Sequence, residues 1–276
     1  MIIGAVIVLF FMLVGIFAPQ IATHDPIDVV IARRHLPPGS VSSTMVDGEV
    51  VYSTHHFGTD DLGRDMFSRV VYGARVSIIV GVSAVAIGAF VGMIFGILSG
   101  YFGGVLDTLV MRLMDIMLAF PGMLLGLVIV TILGASMHGI IITIAILNVP
   151  TFARIVRGST LGVRKLEYID AIRAVGANDG RIIFVHILPN IISPIIVQAT
   201  LAIGSAIVIA AALSFLGIGI PAPTPEWGSL VDRGRGHLHV AQHMILYPGI
   251  AIFLFVVGIN IFGDGLRDYL EPKKHR

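Results

Sequence analysis

No cysteine occurs among the 276 residues. Disulfide stapling of loops and thiol chemistry are both excluded. Charge is scarce: Asp, Glu, Lys and Arg make up 13% of the chain, against roughly 25% in a soluble domain. Lysine is scarcer still. Lys165, Lys273 and Lys274 are the only three, and none sits in the glycine pattern of a phosphate-binding loop. Conventional ATP binding is thereby excluded. A net charge of +1 leaves no electrostatic footprint for nucleic acid. No Ser, His and Asp combination has the spacing of a nucleophile elbow, so nothing here points to an enzyme.

What is present in excess is apolar surface. Hydrophobic residues make up 56% of the chain. They fall into six blocks, approximately 2–18, 76–98, 116–134, 138–153, 191–217 and 244–263. About 20 apolar residues cross the hydrocarbon of a bilayer as a helix. The blocks are continuous rather than alternating, which predicts helices and not barrel strands. The first block has no basic residue before it and no small-x-small cleavage site, so a retained span is expected rather than a cleaved leader. The expected fold is an all-α integral membrane protein with six transmembrane helices. A single transmembrane domain is expected over 1–276, with a polar outer segment at 19–75 and a polar insert at 154–190.

Basic residues set the orientation. Arg154, Arg157, Arg164, Lys165, Arg173 and Arg181 lie in the insert, and Arg267, Lys273, Lys274 and Arg276 in the tail. The insert and both termini are expected to be cytoplasmic. The block interiors hold no Asp, Glu, Lys or Arg. Carriers driven by ion gradients generally place such groups within the membrane.

The insert reads as helix, turn, helix. Glu167 to Val175 is a helical run, Gly176 is a stop, and Asn178 or Asp179 caps a second helix that Pro189 ends. The pattern Asp170-Ala171-Ile172, Gly176-Ala177 and His186-Ile187-Leu188-Pro189 resembles the EAA loop of importer-type ABC permeases. Asp170 stands for the usual Glu and Ile172 for the second Ala. Further stretches narrow the likeness. His56-Phe57-Gly58-Thr59-Asp60-Asp61-Leu62-Gly63-Arg64-Asp65, Pro223-Thr224-Pro225-Glu226-Trp227-Gly228 and Gly263-Asp264-Gly265-Leu266-Arg267-Asp268 are similar to segments of the "C" permeases of dipeptide and oligopeptide importers. That subfamily also includes glutathione and nickel permeases.

The resemblance implies a type I ABC importer permease fold in the bacterial inner membrane. It implies four partners besides membrane lipid: a paralogous permease, two ATPase subunits and an extracytoplasmic solute-binding protein. The chain itself is expected to hold no cofactor, ATP and Mg residing on the ATPases. Glu167, Asp170, Ala171, Ile172, Gly176, Ala177, His186 and Pro189 become candidate ATPase-coupling residues. Pro225, Glu226 and Trp227 become candidates for docking the binding protein. A short peptide is the expected cargo. An ion-coupled carrier and a non-transporting membrane scaffold are the readings from other classes.

Several features are read from the residues alone. Small side chains recur every fourth position at Gly88, Gly92 and Gly96 and at Ala202, Ala206 and Ala210, which lets helices approach closely. Pro121 and Pro150 are expected to kink their spans. Asn148, Gln198, Ser205 and Ser214 are polar groups inside spans and candidates for the pathway or for interhelical hydrogen bonds. In the outer segment a short hairpin is expected around Val46-Asp47-Gly48-Glu49-Val50. An amphipathic surface helix is expected from Asp65 to Ala74. His55, His56, His237, His239 and His243 face outward, but they complete no convincing ligand set, and no metal is expected.

Overall fold

The computed structural model describes residues 1–46 and 49–270. The tail bases Lys273, Lys274 and Arg276, and the Asp47-Gly48 turn, lie outside these. Helices dominate. In order they are α1 (Ile2–Ile16), α2 (Ala18–Ile21), α3 (Met66–Phe102), α4 (Gly104–Ala119), α5 (Gly122–Leu133), α6 (Met137–Arg164), α7 (Glu167–Ala174), α8 (Asp179–Arg181), α9 (Leu188–Leu213), α10 (Trp227–Arg235) and α11 (His243–Leu270). The strand pairing expected around residues 46–50 is present and extends beyond that stretch. Strands β1 (Ser40–Val46) and β2 (Glu49–His55) pair antiparallel, with Val46 opposite Glu49.

Four helical stretches are long and apolar enough to cross a membrane: Met66–Phe102, Met137–Arg164, Asp179–Ile218 and His243–Leu270. The pair α4 and α5 makes a fifth if counted as one span, although the two meet at 97°. The third apolar block, 116–134, is therefore not one straight helix. Pro121 supplies no N–H and its extended backbone starts a new helix at Gly122. Pro150, by contrast, lies inside an unbroken α6. The apolar α1 has 15 residues. It packs on α11, where a side-chain carbon added at Gly4 would lie 2.7 Å from the Gly258 carbonyl oxygen.

The surface helix expected at Asp65–Ala74 is not a separate element. Asp65 accepts a hydrogen bond from the Ser68 amide at 2.8 Å and caps α3, which then runs unbroken through the second apolar block. Met66 and Val71, read as membrane-facing, are buried in the protein instead.

The centre of the bundle is the pairing of α3 with α6. Carbons added at Gly88, Gly92, Gly96 and Gly100 would stand 2.5–2.9 Å from atoms of Ala145, Asn148, Val149, Phe152, Ala153, Val156, Arg157 and Thr160. The four-residue spacing lays the glycines in one stripe, and the partner helix occupies the space that side chains would have filled. Ala202, Ala206 and Ala210 of α9 are buried in the same core.

Candidate functional site

The polar insert forms a helical hairpin at one end of this bundle. Its first helix, α7, begins two residues after α6 ends and carries Glu167 and Asp170 in its first turn. Gly176 has φ +91°, a conformation that L side chains rarely adopt, and reverses the chain. The Asn178 side chain accepts from the Arg181 amide at 2.8 Å and caps the returning helix.

Pro189 does not end that helix. The stretch Ile182–Ile187 is a π-helix, with the Leu188 amide reaching the Ile183 carbonyl, and α9 follows directly. The wider turn accommodates the proline's missing donor and its ring. The Asn190 amide donates to the His186 carbonyl oxygen at 2.6 Å, so that this carbonyl is satisfied. Hairpin and fifth apolar block are thus one continuous helical stretch, Asp179–Ile218.

The hairpin has two faces. Ile169, Ile182 and Ile187 are completely buried, and Ile172 and Ala177 pack partly buried against the same core. Ile172 and Ala177 therefore help to anchor the hairpin to the bundle, each keeping part of its surface exposed. The other face holds exposed Glu167, Asp170, Ala171, Gly176 and Pro189. It also holds Val175, 88% exposed, and Phe184, 70% exposed. Both apolar residues escaped the sequence reading, which followed the family pattern; the signal was two large apolar side chains in a polar insert. His186 meets the Tyr168 ring edge-on at 6.2 Å. Arg164, Lys165, Asp170 and Arg173 line a shallow cavity beside α7.

Behind the hairpin, the ends of three helices are tied by charge. Asp107 of α4 receives two hydrogen bonds from the Arg157 guanidinium of α6, at 2.5 and 2.6 Å, and another from the Ser99 hydroxyl of α3. Tyr101, 3% exposed at the end of α3, donates to Asp179 at 2.5 Å.

The opposite end of the bundle carries the outer segment. Asp60 accepts from the amides of Leu62 and Arg64 and from the Arg64 guanidinium at 2.7 Å, the two Arg64 bonds being buried. Gly58 and Gly63 take φ of +75° and +76° in this knot. His243 Nε2 reaches the Thr59 carbonyl at 2.9 Å, which binds α11 to it.

His24, His55 and Asp65 come together with candidate ligand atoms within 4.8 Å of one another. The two rings stack, with centroids 4.6 Å apart and planes 23° apart. Both rings turn Nδ1 toward the same carboxylate oxygen, Asp65 Oδ1, at 2.9 Å from His55 and 3.6 Å from His24. The trio is built as a hydrogen-bonded cluster, His55 Nδ1 standing 2.9 Å from Asp65. Burial pushes the His24 pKa down, partly opposed by Asp65. His55 belonged to the sequence candidates; its partner His24, in an Ala-Thr-His-Asp-Pro stretch far along the chain, carried no local signal. The His237 and His35 rings lie with centroids 4.6 Å apart and planes tilted by 46°.

Pro225, Glu226 and Trp227 do not offer a docking surface. All three are buried, Trp227 completely. The Trp227 indole donates to the Val70 carbonyl at 2.9 Å. Glu226 accepts from Ser77, Ser214, Gly228 and Ser229, joining α3, α9 and α10. Ser214 is consequently a structural partner of Glu226. The exposed part of that motif is Pro221 to Pro223. Pro223 and Thr224 form one wall of an open cleft of about 830 Å³ whose other wall includes His24, Tyr72 and Arg75. Of the remaining polar span residues, Asn148 is half-buried and donates to the Ile144 carbonyl at 2.8 Å. Gln198 is half-buried and Ser205 exposed.

Comparison with known proteins agrees with this architecture. Residues 92–276 match the model of binding-protein-dependent transport system inner membrane components. Residues 1–38 match the N-terminal membrane domain of oligopeptide transport permease C. A dipeptide transport system permease protein of Alkalihalophilus pseudofirmus is 46% identical, covering 99% of this chain and 85% of that protein. A glutathione transport system permease protein of Pectobacterium atrosepticum is 45% identical over 80% of this chain and 73% of its own length. A probable D,D-dipeptide permease of Escherichia coli is 43% identical over 98% and 86%. Among solved structures, an inward-facing MetNI methionine ABC transporter superposes with a TM-score of 0.61 at 17% identity, over 74% of this chain and 97% of that one. The fold, the two family matches and these identities together make the chain a member of the binding-protein-dependent transport system inner membrane component family, a multi-pass permease subunit of an ABC importer.

Proposed function

We propose that this subunit forms half of the passage in an ATP-driven importer of dipeptides or oligopeptides. The other half is a paralogous permease. Two ATPase subunits, which carry ATP and Mg, grip the hairpin, and a solute-binding protein delivers cargo at the opposite end. The insert and both chain termini are cytoplasmic. The observation that carries the reading is the two-faced hairpin. Ile169, Ile182 and Ile187 lock it into the bundle, while Glu167, Asp170, Val175 and Phe184 are exposed. Such a surface suits a groove with basic rims and an apolar floor. Because the returning helix continues into α9, movement of the hairpin is transmitted to a helix of the core. The bundle then switches between inward-open and outward-open states.

The peptide cargo is supported by the relatives named for dipeptides. Glutathione is the second reading, favoured by the relatives at 43–45% identity that carry that name. Glutathione is itself a small peptide, so the two readings share a passage chemistry. Proteoliposomes holding the whole complex test the reading with Gly176→Asp, which inserts a side chain and a charge at the hairpin turn. ATP hydrolysis is expected to continue while uptake of labelled dipeptide falls. Undiminished uptake by this variant overturns the coupling role.

A further inference from the structure

The chain connects the hairpin covalently to α6 on one side and to α9 on the other. The helix α3 has no such link, yet it is the helix whose glycine stripe lies against α6 along the bundle. Its end is nevertheless held. The Tyr101 hydroxyl donates to Asp179 Oδ1 at 2.5 Å and receives a long hydrogen bond from Arg173 at 3.4 Å. The Arg164 and Arg173 guanidinium carbons lie 5.8 and 5.9 Å from the Tyr101 ring centroid. Arg164 belongs to the end of α6, Arg173 to α7 and Asp179 to α8. Three segments around the hairpin therefore converge on one buried ring. Among the described residues, Tyr101 carries the side-chain hydrogen bonds between α3 and the hairpin.

The geometry is that of a mechanical tie. The ring is buried and its hydroxyl is bonded to a carboxylate, and a bond to a charged group is stronger than a neutral one. The apolar contacts around it, Ile169 and Ile182 among them, allow sliding; a directional hydrogen bond does not. We propose that Tyr101 is a positioning residue of the transport cycle, holding Asp179 so that the hairpin and α3 are displaced as one body. This rests on the reading of the hairpin as the ATPase contact.

The absence of cysteine makes the test direct. Paired spin labels are placed at Ile94 on the exposed face of α3 and at Val175 on the hairpin, in the complete complex in nanodiscs. With Tyr101 intact, one narrow distance is expected both without nucleotide and with trapped ATP. Tyr101→Phe keeps the ring and removes only the hydroxyl. It is expected to add a second distance in the ATP-bound complex. Asp179→Asn, at an exposed position, weakens the same bond from the other side and is expected to do the same. A single unchanged distance in both variants overturns the proposal, as does a second distance that already appears with Tyr101 present. A lowered melting temperature with the single distance retained also overturns it, since that is mere stability. If the Val175 label is not immobilised when the ATPase subunits bind, the coupling reading itself fails, and that result is separate from the Tyr101 outcome.

Discussion

Gly92 faces Phe152 so closely that a side-chain carbon on the glycine would stand 2.5 Å from the Phe152 Cβ and 2.8 Å from the Val149 carbonyl oxygen. The two helices meet backbone to backbone at this level. Gly92→Leu is expected to force α3 and α6 apart, at a cost of about 1–3 kcal/mol or more. Thermal unfolding of the purified subunit in detergent checks this. Gly122→Ala is the control, because nothing lies within 4 Å of that position. Equal melting of the two variants would contradict the packing argument.

Glu226 receives hydrogen bonds from two serine hydroxyls and two amides. Glu226→Gln turns one acceptor into a donor that faces donors. A loss of about 1–3 kcal/mol is expected, the usual cost of an unsatisfied buried polar group. Trp227 is the chain's single tryptophan and is completely buried beside the site. Its fluorescence is expected to shift to the red in the variant and to stay unshifted in a Ser205→Ala control.

The Asp107–Arg157 pair is two-pronged and only 21% and 33% exposed, whereas Arg154–Asp115 is more than half exposed at both ends. Double-mutant cycles to alanine are expected to give a coupling of about 0.5–3 kcal/mol for the first pair. The second is expected to give about 1 kcal/mol or less. A larger coupling for the exposed pair would contradict the argument from burial.

His24 has its pKa lowered from 6.5, first by burial and then by the neighbouring His55, Arg33 and His56, with Asp65 opposing. A depressed folded-state pKa means that the folded chain holds this ring neutral while the unfolded chain binds the proton more readily. The contribution is intact above pH 6.5 and is lost as pH falls through the lower folded value. The protection of the His24 and Ser68 amides against hydrogen exchange, taken relative to the intrinsic rate at each pH, is expected to fall over that window. His24→Gln is expected to flatten the dependence; an unchanged profile in this variant would assign the effect elsewhere.

The hairpin was legible because its signals are local. Gly176 needs a left-handed backbone and Asn178 is a helix cap, and both act within a few residues. Pro189 misled for the same local reason. A proline read alone ends a helix, and only the π turn before it shows how the helix passes through. Asp65 likewise reads as the start of a short surface helix, and no nearby residue tells that the helix is continuous with the next apolar block. In the sequence Glu226 and Trp227 stand as candidates for docking the binding protein. Their partners Val70, Ser77 and Ser214 lie far away along the chain, where no pattern of spacing points to them.

The sequence by itself determined that the chain lives in a membrane and that it is helical there. It also determined where the polar hairpin interrupts the apolar blocks. Composition and periodicity are properties of a segment, and solvent preference acts on each segment separately. The tertiary structure decided which face of the hairpin is free and that α4 and α5 meet at a sharp bend. It also decided that Tyr101, Asp107 and Glu226 are ties between helices. Those outcomes depend on which distant side chain arrives within 3 Å of a buried hydroxyl or carboxylate, and that is settled only when the helices pack.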